Sequence, residues 1–226
     1  MPPDSLIPPH GGYKKLRTYK LGNLIYDATA AFCEQYLDRK DRTYDQMVQA
    51  ARSGVANIIE GSEASATSKK TELKLTNVAK ASQEELLTDY QAFLRQRGLP
   101  EWKLDSPAIQ TLRQVKPETL DQLRELMAAL VADPGLGVTQ GQADKTAIKA
   151  EVAGNVMIGL INQETYLLGR QIARLAADFE QEGGFTERLY RIRTEIRKKE
   201  NYKRVFPQTT DQTDGTDLTD GTDKSV

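Results

Sequence analysis

The chain has 226 residues, with 31 Lys and Arg against 32 Asp and Glu, so its formal net charge is −1. That balance excludes a protein that is polycationic over its whole surface, and a single cysteine, Cys33, excludes an intramolecular disulfide. No apolar run approaches the roughly 20 residues needed to cross a bilayer, and Met1-Pro2-Pro3-Asp4 lacks the basic and apolar regions of a secretory signal. The expectation is a cytoplasmic protein.

Residues 1–12 read as a flexible leader rich in Pro and Gly, and they hold the only histidine, His10. Without an imidazole in the folded part there is no nucleophile–His relay, no Glu-x-x-His pair for a di-iron bundle and no structural zinc set. No catalytic residue, metal or cofactor is therefore expected. The first helix is predicted over about Tyr19 to Leu37, with Leu21, Leu24, Ala28, Phe32 and Tyr36 near one stripe. The charged run Asp38 to Arg42 reads as a solvated connection. Helix two follows over about Thr43 to Glu60, with Met47, Ala51, Val55, Ile58 and Ile59 inward, and Ser62 to Ser68 is expected to be a loop. Helix three, about Lys69 to Gln96, carries Leu75, Val78, Ser82, Leu86, Tyr90 and Phe93, and Gly98 with Pro100 closes it.

Residues 13–98 thus supply three helices, and 99–145 is far longer than the usual 2–8 residue connection between bundle helices. It reads as a helical insertion. A short helix fits Pro107 to Arg113, and a second starts at Pro117-Glu118-Thr119 and continues through Leu120, Leu123, Leu126 (or Met127) and Leu130 to Asp133-Pro134-Gly135. Trp102 is the expected anchor on the bundle. Helix four is predicted over about Thr146 to Gln181, its buried side marked by Ile148, Val152, Val156, Leu160, Leu167, Ile172, Leu175 and Phe179. Gly183-Gly184 breaks it, and Thr186 is expected to cap a basic suffix helix to about Tyr202, so that 146–206 forms the last folded unit. Residues 207–226, with repeated Thr-Asp-Gly-Thr-Asp, read as a disordered acidic tail.

Ala51 to Gly61 is the most distinctive stretch. Ser53, Gly54 and Ala56 allow close backbone approach, Asn57 is a polar residue among apolar ones, and Gly61 is expected to end the helix in the left-handed region. Arg52, Asn57 and Glu60 on helix two, with Ser82 and Glu85 on helix three, are the expected polar network fixing helix register. Asn162-Gln163 in helix four is read the same way, with a ligand pocket as the other explanation.

Arg52-Ser53 through Glu60-Gly61, with Ala79, Ala81-Ser82 and Glu85-Leu86, resembles the signature of a four-helix-bundle family. That family includes the rRNA intervening-sequence proteins and the accessory proteins of diversity-generating retroelements. Asn155 to Gln171, around Leu160-Ile161-Asn162-Gln163 and Tyr166-Leu167-Leu168, followed by Glu182-Gly183-Gly184-Phe185-Thr186-Glu187-Arg188, resembles the subgroup with a four-helix-bundle suffix. The resemblance covers most of Lys20 to Lys199 apart from the insertion. It implies an all-α antiparallel bundle, a homo-oligomer (pentamers in the relatives) and an association with RNA, DNA or a reverse-transcriptase-like protein. It implies no reaction.

Charge placement points the same way. Arg188, Arg191, Arg193, Arg197, Lys198 and Lys199, with Lys203 and Arg204, face only Glu187, Glu195 and Glu200 between Thr186 and Phe206. Lys14, Lys15, Arg17 and Lys20, interleaved with Tyr13 and Tyr19, form a second cluster, expected at the other end of the fold. Basic residues beside aromatics hold phosphates and stack bases. The tail's five Asp against Lys224 would compete with nucleic acid for the suffix helix. Gly137-Val138-Thr139-Gln140-Gly141 fails as a phosphate loop because Lys145 comes too late, and Glu84 and Glu85 diverge by about 100° on a helix, unlike a paired-carboxylate catalyst. The sequence therefore reads as a non-enzymatic oligomeric scaffold for nucleic acid or a nucleic-acid-handling protein. The alternative is a protein–protein module using the insertion and suffix.

Overall fold

The computed structural model describes residues 11–133 and 144–205; the expected leader up to residue 10, the Pro134-Gly135 stop, the Gly137 to Gly141 run and the acidic tail lie outside them. The described residues form helices and no strand. A 3-10 turn, Gly12–Lys15, leads into α1 (Arg17–Tyr36), α2 (Arg42–Ala64), α3 (Lys69–Gln96), α4 (Pro107–Val115), α5 (Leu120–Ala132), α6 (Lys145–Glu182) and α7 (Phe185–Val205). Most starts carry a side-chain cap. The side chains of Asp41, Ser68, Ser106, Thr119 and Asp144 each accept from a backbone N–H in the first turn that follows.

Six helices, α1 to α6, pack on one another: α1 on α2, α2 on α3, α3 on α6 and α6 on α1, with α4 and α5 laid on α6. Contacts give the directions. Leu94 meets Gly154 while Lys80 meets Gly169, so α3 and α6 run oppositely. Ser53 meets Ser82 while Gly61 meets Leu75, so α2 and α3 do as well. Phe32 stacks edge-on against Phe93 and Tyr90 donates to Thr29 Oγ1 at 3.1 Å, so α1 runs with α3. The core joins Leu24, Ile25, Ala28 and Phe32 of α1 to Met47, Leu86, Tyr90, Leu94 and Val156 of the neighbouring helices. Burial of such side chains stabilises by about 1.5–3 kcal/mol each relative to exposure.

The α4–α5 insertion changes the character of α6. Every residue from Ala150 to Ile161 is buried, including residues on the side turned away from α1 and α3. Ile109 and Leu112 of α4 explain this, because they press on Gly159 so closely that a Cβ there would stand 2.7 Å from Leu112. Trp102 is buried and latches the insertion. Its indole N–H donates to Glu151 Oε1 at 2.8 Å, and its backbone N–H donates to Asn155 Oδ1 at 2.7 Å. Asn155 in turn donates to the Pro100 carbonyl at 2.9 Å.

Several expectations are corrected. Gly61 does not end α2, which runs three residues further to Ala64; its φ is not positive, and its missing Cβ instead lets α3 approach, with Leu75 3.4 Å from that position. On α3 the expected Ser82, Leu86, Tyr90 and Phe93 are buried, together with Thr76, Ala79, Gln83 and Leu94, whereas Leu75 is half-buried and Val78 is 38% exposed. Thr186 is not the cap of α7. The helix begins at Phe185, and the Glu187 carboxylate reaches back to accept from Gly184 N–H at 2.9 Å. Gly98 and Gly183 do take positive φ and close α3 and α6.

Candidate nucleic-acid interface

The first basic cluster is placed by a contact between α1 and α6. Thr18 in the first turn of α1 donates to Gln171 of α6 at 3.0 Å, and α6 then runs on to Glu182, from which α7 departs. Since α1 and α6 are antiparallel, the start of α1 lies on the side toward which α6 runs, and α6 continues eleven residues past Gln171 before α7 begins.

On α7, Arg191, Arg193, Arg197, Lys198 and Lys199 are exposed and Arg188 is half-buried. Tyr190, 75% exposed, shares a face with Arg193 and Arg197 by helical spacing. The long stems and the ring offer a solvated strip able to follow a phosphate backbone with one aromatic surface.

At the start of α1 the arrangement is concave. Lys15, Arg17 and Lys20 line a cleft of about 450 Å3 together with Lys116, which sequence reasoning left unassigned. Leu21, Leu24, Leu160 and Gln163 line it as well, and Pro117 and Glu118 close one side. Lys14 is exposed and outside this lining. Tyr13 packs edge-on against Tyr19 with ring centroids 4.9 Å apart, which holds the 3-10 turn on α1. Lys116 reaches the cleft because α4 ends on it in the left-handed region, φ 50 and ψ 63, its N–H bonded to the Leu112 carbonyl. The signal for Lys116 in the sequence was only a Lys before Pro117; ninety-odd residues separate it from Lys20 in the chain.

The expected polar network is smaller than the sequence suggested. Asn57 donates to the Ser53 carbonyl at 2.8 Å and to Ser53 Oγ at 3.2 Å, and Ser53 Oγ meets Ser82 Oγ at 3.0 Å. The crossing between α2 and α3 therefore passes through two serines, with Asn57 behind them. Arg52, Glu60 and Glu85 are exposed and form no ion pair among the described residues. Asn162 likewise turns back to its own helix, donating to the Ile158 carbonyl at 2.9 Å.

A different polar level lies inside. Gln83 of α3 and Glu164 of α6 are fully buried, and their side-chain N and O atoms have no hydrogen-bond partner. Each fills space left by a glycine: Gln83 Nε2 presses on Gly54 of α2, and Glu164 Oε1 on Gly22 of α1. Burial pushes the Glu164 carboxyl up to about 8. The Cys33 thiol is pushed up to about 12 by burial and by the nearby Asp89 charge, so it is held as an unreactive thiol.

No helix among the described residues is long and apolar enough to cross a membrane. No family model, curated protein or solved structure matches this chain.

Proposed function

We propose that the protein is a non-enzymatic helical scaffold that binds nucleic acid, RNA or DNA, through basic surfaces at the start of α1 and along α7. The carrying observation is the convergence of Lys15, Arg17 and Lys20 with Lys116 in one cleft. Cationic side chains that share a concave surface add their potentials, and an apolar floor keeps that field from being screened by water. In this reading α1, α2, α3 and α6 form an antiparallel four-helix bundle, supported by their alternating directions, and the chain is a homo-oligomer of the bundle family its Arg52 to Gly61 motif resembles. A pentamer, as that resemblance implies, would repeat each basic surface and multiply a weak single contact. A reverse-transcriptase-like protein as co-partner rests on the same resemblance.

A protein–protein module is the second reading, favoured by the exposed Tyr190, Ile196, Tyr202 and Val205 on α7. Anisotropy of a labelled single-stranded RNA across a salt series separates the two. Nucleic-acid binding weakens steeply with salt. Absence of binding at low salt would discard the first reading in favour of the second, and sedimentation of the same sample reports the oligomer.

A further inference from the structure

Five ion pairs hold described cations elsewhere on the molecule, among them Lys69–Glu72 at 3.2 Å and Lys80–Glu84 at 2.7 Å. Lys15, Arg17, Lys20 and Lys116 have none, like most described cations, but these four share one cleft. Their placement also runs against local electrostatics. The first turn of a helix favours acidic residues because its free N–H groups present partial positive charge. The first turn of α1 has no acidic residue and carries Arg17 and Lys20, and its cap position, Leu16, supplies no side-chain acceptor. Lys116 adds a backbone cost, since a non-glycine residue in the left-handed region is disfavoured by about 1–2 kcal/mol. It is the one such residue among those described. Gln163, half-buried at the cleft, has a carboxamide that makes no hydrogen bond among the described residues.

We propose that this cleft is a phosphate-binding site, in which Lys116 and Lys20 contact the oxygens of a nucleic-acid phosphate and the Gln163 amide donates to it. The inference rests on the nucleic-acid reading and locates it. A bound phosphate removes the repulsion among the cations, supplies the negative charge the start of α1 lacks, and gives Gln163 an acceptor. Glu118, the one carboxylate lining the cleft, opposes the ligand and limits its affinity.

The test uses the full chain and a labelled single-stranded RNA. Lys116→Asn removes the charge and substitutes a residue that tolerates the left-handed region, so the melting temperature should hold or rise while affinity falls about tenfold, the worth of a charge-assisted hydrogen bond. The slope of log affinity against log salt should flatten by about 0.7, the value for one phosphate contact on a single strand. Lys20→Gln should act alike, and Glu118→Gln should tighten binding. If RNA binds and these variants match the parent in affinity and slope, the cleft inference is overturned while the nucleic-acid reading survives on α7. If RNA does not bind at low salt, that reading fails, and inorganic pyrophosphate is titrated with amide NMR as the readout. Shifts at Lys116 and Gln163 in the parent, lost in Lys116→Asn, keep the cleft as a site for small phosphates. Their absence removes the site too.

Discussion

Glu164 and Gly22 face each other so closely that a Cβ on Gly22 would stand 2.6 Å from the Glu164 carboxyl oxygen. The glycine is what lets a buried acid fit between α1 and α6. Its substitution by Ala must displace either the carboxyl or the helix, and Val55 Cγ2 at 3.3 Å leaves little room on the other side. Gly22→Ala should destabilise by about 1–3 kcal/mol, the usual cost of overpacking a filled core, read from urea unfolding. An unchanged midpoint would mean that the α1–α6 contact yields freely.

Glu164 also makes stability depend on pH. Its carboxyl is raised from 4.5 to about 8 in the fold by burial. Between those values the folded chain holds a proton that the unfolded chain has released, so stability falls as pH rises from about 4.5 to about 8 and levels off beyond. The limiting slope for one group is about 1.4 kcal/mol per pH unit. Glu164→Gln removes the titration, and the difference between parent and variant stabilities across pH 5 to 8 isolates it from every other group. A constant difference over that range would show that Glu164 is ionised in the fold.

Gln83 presents the amide version of the same problem. Its two polar atoms are buried and unpartnered, so their desolvation is uncompensated, at about 1–3 kcal/mol. Gln83→Met keeps the length and removes both polar atoms. It should raise the unfolding free energy by about 1 kcal/mol, measured by chemical denaturation, and a loss instead would reveal a partner that binds the amide.

Asn155 is the reverse case, a buried amide with both polar atoms partnered. It accepts from Trp102 N–H and donates to the Pro100 and Glu151 carbonyls. Asn155→Ala should cost about 1–3 kcal/mol by stranding the buried Trp102 N–H. Limited proteolysis should then cut first between Leu99 and Ser106. Cleavage elsewhere in preference would show that Asn155 is not what fastens the insertion.

Helix placement was legible because the long helices carry their apolar residues at helical spacing and most have a polar cap or glycine at an end, α1 with Leu16 and Leu37 being the exception. Lys69 to Gln96 matches α3 at both ends, and the insertion helices expected from Pro107 and from Pro117-Glu118-Thr119 form as α4 and α5, the second starting later, at Leu120 behind its cap Thr119. Gly61 misled because a glycine that permits close packing and one that ends a helix look alike in a sequence; only the position of α3 distinguishes them. Gln83 and Glu164 were invisible for a related reason. Polar residues at core positions break the pattern by which cores are recognised, and the glycines that accommodate them sit on other helices. The basic residues near the start of α1 were legible as charge, but not as a cleft, because Lys116 joins them only through the fold.

The complete burial of α6 from Ala150 to Ile161 has a consequence for how this chain could vary. A stretch buried on all sides needs a neighbour on every side, and here the chain supplies the last one itself, with Ile109 and Leu112 seated on Gly159. Excising residues 99–145 and closing the gap would bare that face. The shortened protein would have to recruit a second polypeptide to cover it, or lose solubility. The insertion thus closes off that face of α6 within the chain itself.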